Sequence, residues 1–141
     1  MVLAYFGDEY SPDSLKRLAN PNPNFAGTFY VDMISGLQKI GYHWETKGFA
    51  LDHLGFERGL QAIRVEINAR RPVLISTSSP PVGHTMIVSG YDDALQLVEL
   101  MNPNWPAPGE GTMSYAKLER IWHDDFQHND RWILITRPKN D

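Results

Sequence analysis

The sequence predicts an α+β domain, with helices first and an antiparallel sheet after them. Three observations predict it. Apolar residues recur at helical spacing through residues 1–69, short β-rich runs fill the rest, and the two kinds of element segregate instead of alternating as βαβ units would. The chain has 141 residues, 42% hydrophobic and 21% charged, which suits one domain with its own core and excludes wholesale disorder.

The elements follow in order. Met1 to Phe6 is a short apolar run that stops at Gly7 and has no N-cap before it, so it reads as the last turns of a helix. Ser11 is a capping residue, Pro12 suits the first helical position, and Asp13 complements the dipole of a helix carrying Leu15 and Leu18. Asn20-Pro21-Asn22-Pro23 ends that helix. Thr28 to Ile40 is a second helix, with Tyr30, Val31, Ile34, Leu37 and Ile40 on one stripe and Gly41 as its C-cap. Residues 42–54 read as loop with room for a short strand. Phe56 to Ala69 is a third helix, with Leu60, Ile63 and Ile67 on one face.

Strands are expected at 72–76, 84–91 and 96–101, with a turn over Asp92 to Leu95. Residues 102–111 contain three prolines and two glycines and read as loop. Ser114 caps a helix reaching Trp122, with Tyr115, Leu118 and Ile121 inward. Arg131 to Thr136 is the last strand, and Pro138 ends it.

Composition narrows the function. Thirteen Lys and Arg against seventeen Asp and Glu give a net charge of −4, which provides no footprint for nucleic acid or an anionic membrane. No apolar run is long enough to span a bilayer, and the N-terminus lacks the basic region of a signal peptide, so a cytoplasmic location is the default. The chain has no cysteine. That removes disulfides, thiolate metal sites and any cysteine nucleophile within these residues. His43, His53, His123 and His128 show no metal-ligand spacing, and His123-Asp124-Asp125 reads as an exposed acidic turn. No glycine-rich phosphate loop is present. No cofactor or metal is expected.

His84 is the residue to follow. It enters a strand from the loop Ser78-Ser79-Pro80-Pro81-Val82-Gly83, so its backbone is fixed by the sheet while its ring meets the loop side. Pairing Tyr91 with Gln96 across the turn puts residue 84 opposite 103, and a one-residue variant puts it opposite 102. Asn102 therefore falls beside His84. An amide oxygen next to a ring N–H fixes tautomer and orientation, as a catalytic histidine requires. The same pair also reads as a structural hydrogen bond at a sheet end. Trp105 either covers this polar pair or belongs to the core.

Arg71-Pro72-Val73-Leu74-Ile75, then Gly83-His84-Thr85-Met86-Ile87-Val88-Ser89-Gly90-Tyr91-Asp92, then Asn102-Pro103, and finally Tyr115, Leu118 and Trp122 form a set. It resembles the second half of papain-like cysteine peptidases. The branch it is most similar to is that of the bacteriocin-processing peptidases that cut double-glycine leaders, and the likeness covers most of residues 70–138. The resemblance implies a papain-like fold and a bacterial hydrolase ancestry, with His84 as the general base and Asn102 as the residue that orients it. Trp105 would shield the pair, with Gly83 beside it in the substrate-binding region. Met1 to Gly7 resembles the run that follows the family's nucleophile. On that alignment the cysteine would lie roughly seven residues before Met1, two helical turns upstream. The expectation is one papain-like domain over residues 1–141, incomplete at its N-terminus, and inactive as a peptidase because a thiolate–imidazolium pair needs both partners.

Three readings stay open. The chain is part of a thiol hydrolase acting on a peptide or protein substrate, or a degenerate peptidase-like module that binds a peptide or partner protein, or a homo-oligomer that fills an apolar notch with a second copy.

Overall fold

The computed structural model describes residues 1–20, 28–79, 82–125, 130–137 and 139. The expected helix stop over residues 21–23, the two prolines before Val82, His128 and Pro138 lie outside them. The order is α1 (Val2–Tyr5), α2 (Pro12–Ala19), α3 (Tyr30–Gln38), β1 (His43–Phe49), α4 (His53–Asn68), β2 (Val73–Ser79), β3 (Val82–Asp92), β4 (Leu97–Met101), β5 (Glu110–Ser114), α5 (Tyr115–Ile121) and β6 (Arg131–Arg137). The strands form one sheet in the order β1-β6-β2-β3-β4-β5. The pairs β6–β2, β2–β3, β3–β4 and β4–β5 are antiparallel. The chain divides into two compact units, residues 1–45 with 136–141, and residues 46–135.

In the first unit the caps act as their residues predict. Ser11 accepts from Ser14 N–H at the start of α2, with Pro12 in the first turn. Gly7 has φ +88°, and the Asp8 and Gly7 amides bond back to Leu3 and Ala4 carbonyls, a Schellman closure of α1. Gly41, at φ +91°, closes α3 the same way through Tyr42 N–H to Leu37 O. Leu3, Leu37 and Tyr42 form a small core with Phe6, Tyr10, Leu15, Met33, Ile40 and Trp44. The Tyr42 hydroxyl donates to Asp8 Oδ2 at 2.7 Å, and Lys139 Nζ meets the same oxygen at 2.6 Å.

The second unit holds the main core. Leu60, Ile63 and Phe56 of α4 and Leu118 of α5, with Trp122 just beyond it, pack on Val73, Ile75, Met86, Val88, Val98, Leu100, Ile133 and Ile135 of the sheet. α4 starts three residues earlier than its apolar stripe predicts, because Asp52 caps it by accepting from Gly55 N–H at 2.6 Å. Its end repeats the Schellman pattern with Arg70 at φ 57° in place of glycine. Arg71 Nε then bonds Glu66 Oε2 at 2.6 Å, which ties the turn before β2 to the helix. Two expectations are corrected here. Residues 43–49 are a full strand, and Glu110–Ser114 is strand β5, although residues 110 and 111 read as loop in the sequence.

Tyr115 and Tyr42 share an electrostatic feature. Burial and a hydrogen bond to a carboxylate, Asp93 for Tyr115 and Asp8 for Tyr42, push each hydroxyl from about 10 up to about 12. A folded pKa above the unfolded one stabilises the fold below the unfolded value, and that stabilisation is lost as pH rises through the folded value. Folding stability is therefore expected to decline between pH 10 and about 12 on account of these two groups. In a phenolate absorbance titration, Tyr42→Phe and Tyr115→Phe each remove a late-ionising step. Titrations unchanged by either substitution contradict the assignment.

Candidate functional site

β2 and β3 pair Val73 with Val88, Ile75 with Met86 and Thr77 with His84. Residues opposed in a ladder share a face, so His84, Met86 and Thr77 lie on the face that carries the main core. The register continues to Ser79 with Val82, so His84 sits inside the hairpin instead of at the exit of a loop. The Thr77 hydroxyl donates to the His84 carbonyl at 3.1 Å.

β3 and β4 pair Asp92 with Leu97, Tyr91 with Val98 and Gly90 with Glu99, and then shift. Beyond the shift Val88 meets Leu100 and Ile87 meets Met101. Ser89 is the extra residue of a bulge. The register counted from the turn is thus corrected twice. The turn spans residues 93–96, and continuing the shifted count sets Asn102 across from Met86, diagonal to His84. The bulge has a consequence for the site. Without it the count would carry Asn102 opposite Ile87 and onto the other face of the sheet.

The pair meets nonetheless. His84 Nε2 lies 2.8 Å from Asn102 Oδ1. Asn104 N–H donates to the same oxygen at 2.9 Å, and Asn102 Nδ2 donates to Met86 Sδ at 3.5 Å. An oxygen that already receives an amide N–H is an acceptor, so Nε2 carries its proton and Nδ1 holds the lone pair of the neutral ring. Asn102 is 7% exposed. Its backbone is held as well: its N–H donates to Gly109 O at 2.8 Å, and its carbonyl accepts from Trp105 N–H at 3.1 Å. Gly109 has φ +82°, and a Cβ there would stand 2.8 Å from Asn102 O, so this loop closure requires glycine.

The Trp105 ring lies on Gly111 of β5, where a Cβ would come within 2.5 Å of it, and packs at the rim of the main core. Its backbone braces Asn102. Gly83 is placed by Asp124: a Cβ on Gly83 would stand 2.1 Å from Asp124 Oδ2. The reading of His123-Asp124-Asp125 as an exposed turn is corrected, since Asp124 is fully buried and accepts from the Ser76 hydroxyl at 2.6 Å. His123 pairs with Asp125, and His53 pairs with Glu119. Among the described residues no cluster of three or more His, Cys, Asp and Glu comes together to hold a metal, and no helix is long and apolar enough to cross a membrane.

Other motif residues serve the scaffold. A Cβ on Gly90 would strike Glu99 Oε2, the Tyr91 hydroxyl donates to Asn68 Oδ1 at 3.0 Å, and Asp92 Oδ1 accepts from Leu95 N–H at 3.0 Å to close the turn. Sequence reasoning missed Asn104, Met86 and Thr77 as partners of the pair. Position two residues from Asn102 and from His84 was the available signal for the first two.

A six-stranded antiparallel sheet crossed by α4, with a His–Asn pair at the end of β3 and β4, defines the class as a papain-like peptidase fold. Solved structures carry the same fold. The peptidase domain of Streptococcus ComA, a bi-functional ABC transporter involved in quorum sensing, is similar at 16% identity and a TM-score of 0.65, over 97% of this chain and 85% of that one. The peptidase domain of Streptococcus mutans ComA is similar at 13% identity and a TM-score of 0.58, over 89% and 86%. The N-terminal peptidase C39 like domain of a toxin secretion ATP-binding protein from Vibrio parahaemolyticus is similar at 11% identity and a TM-score of 0.60, over 95% and 87%. The chain belongs to the Peptidase_C39 like family, whose model matches residues 1–135. No curated protein matches the sequence.

Proposed function

We propose that residues 1–141 are one papain-like domain of a thiol hydrolase acting on peptides, with His84 as its base and Asn102 as the residue that orients it, and that these residues alone are inactive. One observation carries the reading. His84 Nε2 is committed to Asn102 Oδ1, which leaves Nδ1 as the basic nitrogen, and no described residue bonds to it. In this chemistry Nδ1 takes the proton of a thiol, the thiolate attacks the peptide carbonyl, and the imidazolium returns the proton to the leaving amine. Asn102 holds the ring in plane throughout. The chain contains no cysteine, so the thiol must come from outside these residues.

The test has two parts. The 141-residue chain, incubated with a panel of extended peptides and followed by mass spectrometry, is expected to cleave none; cleavage lost in His84→Ala would overturn the inactivity. The protein isolated from its native host is expected to exceed 16.1 kDa and to carry an alkylatable thiol. A native mass of 16.1 kDa would overturn the hydrolase and leave the peptide-binding module, read by titrating the same peptides against the chain.

A further inference from the structure

Asp124 is a buried carboxylate that the proposed chemistry does not use. It is fully buried, as is Ser76, whose hydroxyl donates to its Oδ2 at 2.6 Å. All three carboxyl atoms of Asp124 face Gly83: a Cβ on that residue would stand 2.1, 2.3 and 2.4 Å from Oδ2, Cγ and Oδ1. Gly83 immediately precedes His84 in β3, and Ser76 immediately precedes Thr77, the residue paired with His84 in β2. Successive side chains in a strand point to opposite faces. Ser76 and the open side of Gly83 therefore lie behind the sheet, while Thr77 and His84 lie in front.

The strand at His84 is thus held from both sides. In front, Thr77 bonds the His84 carbonyl and Asn102 bonds the ring. Behind, Asp124 closes on the backbone at Gly83. Taking a carboxylate fully out of water is costly, and an apolar side chain of similar size would fill the same space without that cost. A polar group kept here, bonded to Ser76 and packed against Gly83, points to a requirement other than filling.

We infer that Asp124, held by Ser76, is a positioning residue for His84: it fixes the Gly83–His84 backbone so that the imidazole stays within hydrogen-bonding distance of Asn102. The inference rests on the reading of His84 as a base. Its test uses no turnover, so its failure is separate from failure of that reading.

The readout is the His84 ring in NMR spectra of the 141-residue chain. The wild-type ring is expected as a single Nε2–H tautomer whose ring proton is protected from solvent exchange. Asp124→Ala is expected to lose that protected proton and to move the ring nitrogens toward a tautomer mixture. Asp124→Asn keeps the volume and an acceptor for the Ser76 hydroxyl, and is expected to restore both. A residue that only supports the fold would lower the melting temperature of Asp124→Ala and leave the ring signal as in wild type; that result overturns the inference. Where Asp124→Ala does not fold, Ser76→Ala decides. It removes the hydrogen bond to Asp124 and no volume around Gly83, and a folded Ser76→Ala with unchanged protection of the ring proton overturns the inference equally.

Discussion

Replacing Arg131 by Met is expected to destabilise the protein by about 3 kcal/mol. The residue is 3% exposed. Its guanidinium donates to Ala50 O at 2.5 Å, Asp52 O at 2.7 Å and Glu119 O at 3.1 Å, and stacks over Phe56 at 5.6 Å. Among the described residues all of these hydrogen bonds go to main-chain carbonyls. Ala50 and Asp52 lie at the start of α4, and Glu119 lies in the last turn of α5, where carbonyls lack helical partners. One side chain of β6 therefore joins two helices. Met keeps the apolar stem and the contact with Phe56 but takes the guanidinium donor from three carbonyls, of which Asp52 O retains a second donor, Phe56 N–H. For a chain of this length such a loss lowers Tm by roughly 10 °C, measurable by calorimetry. Arg131→Lys separates geometry from charge. An ammonium is a point donor that does not span both helices, so Lys is expected to recover less than half of the loss. A Lys variant as stable as wild type would show that charge alone suffices.

The sequence announced this junction poorly, and the reason is general to the fold. Signals that act within one turn were readable: Ser11 with Pro12, Gly7 and Gly41 each mark a boundary that the structure keeps. The start of α4 was hidden because Gly55 reads as a breaker. It is there because a Cβ would stand 2.1 Å from Ala50 O, a contact no local pattern reveals. Strand β5 was hidden for the same reason, since Gly111 looks like loop and is glycine to admit the Trp105 ring. β1 lies at one edge of the sheet and is mostly exposed, so it has no alternation to read. Asp124 looked like surface because its partner Ser76 is 48 residues away in sequence. The His84–Asn102 pair was legible even through a wrong register. Both the counted and the observed pairing bring the ends of β3 and β4 together, and a long polar side chain reaches a diagonal neighbour as well as an opposite one.

Removing the Asn102 side chain is expected to cost about 2 kcal/mol and to release the His84 ring. The amide oxygen accepts from both His84 Nε2–H and Asn104 N–H, so Asn102→Ala leaves two donors without a partner and opens space beside Met86. With the acceptor gone, neither tautomer is favoured, and the ring nitrogens in NMR spectra are expected to report a mixture. Asn102→Asp is the contrasting substitution. A carboxylate keeps an acceptor facing the same two donors and gives up only the weak contact to the methionine sulfur. It is expected to hold the single Nε2–H tautomer. If Asn102→Ala leaves the ring as ordered as in wild type, the 2.8 Å contact does not orient His84, and the case for a poised base fails with it. If Asn102→Asp also scrambles the tautomers, the amide is needed for its donor as well, and Met86 becomes part of the device that aims the histidine.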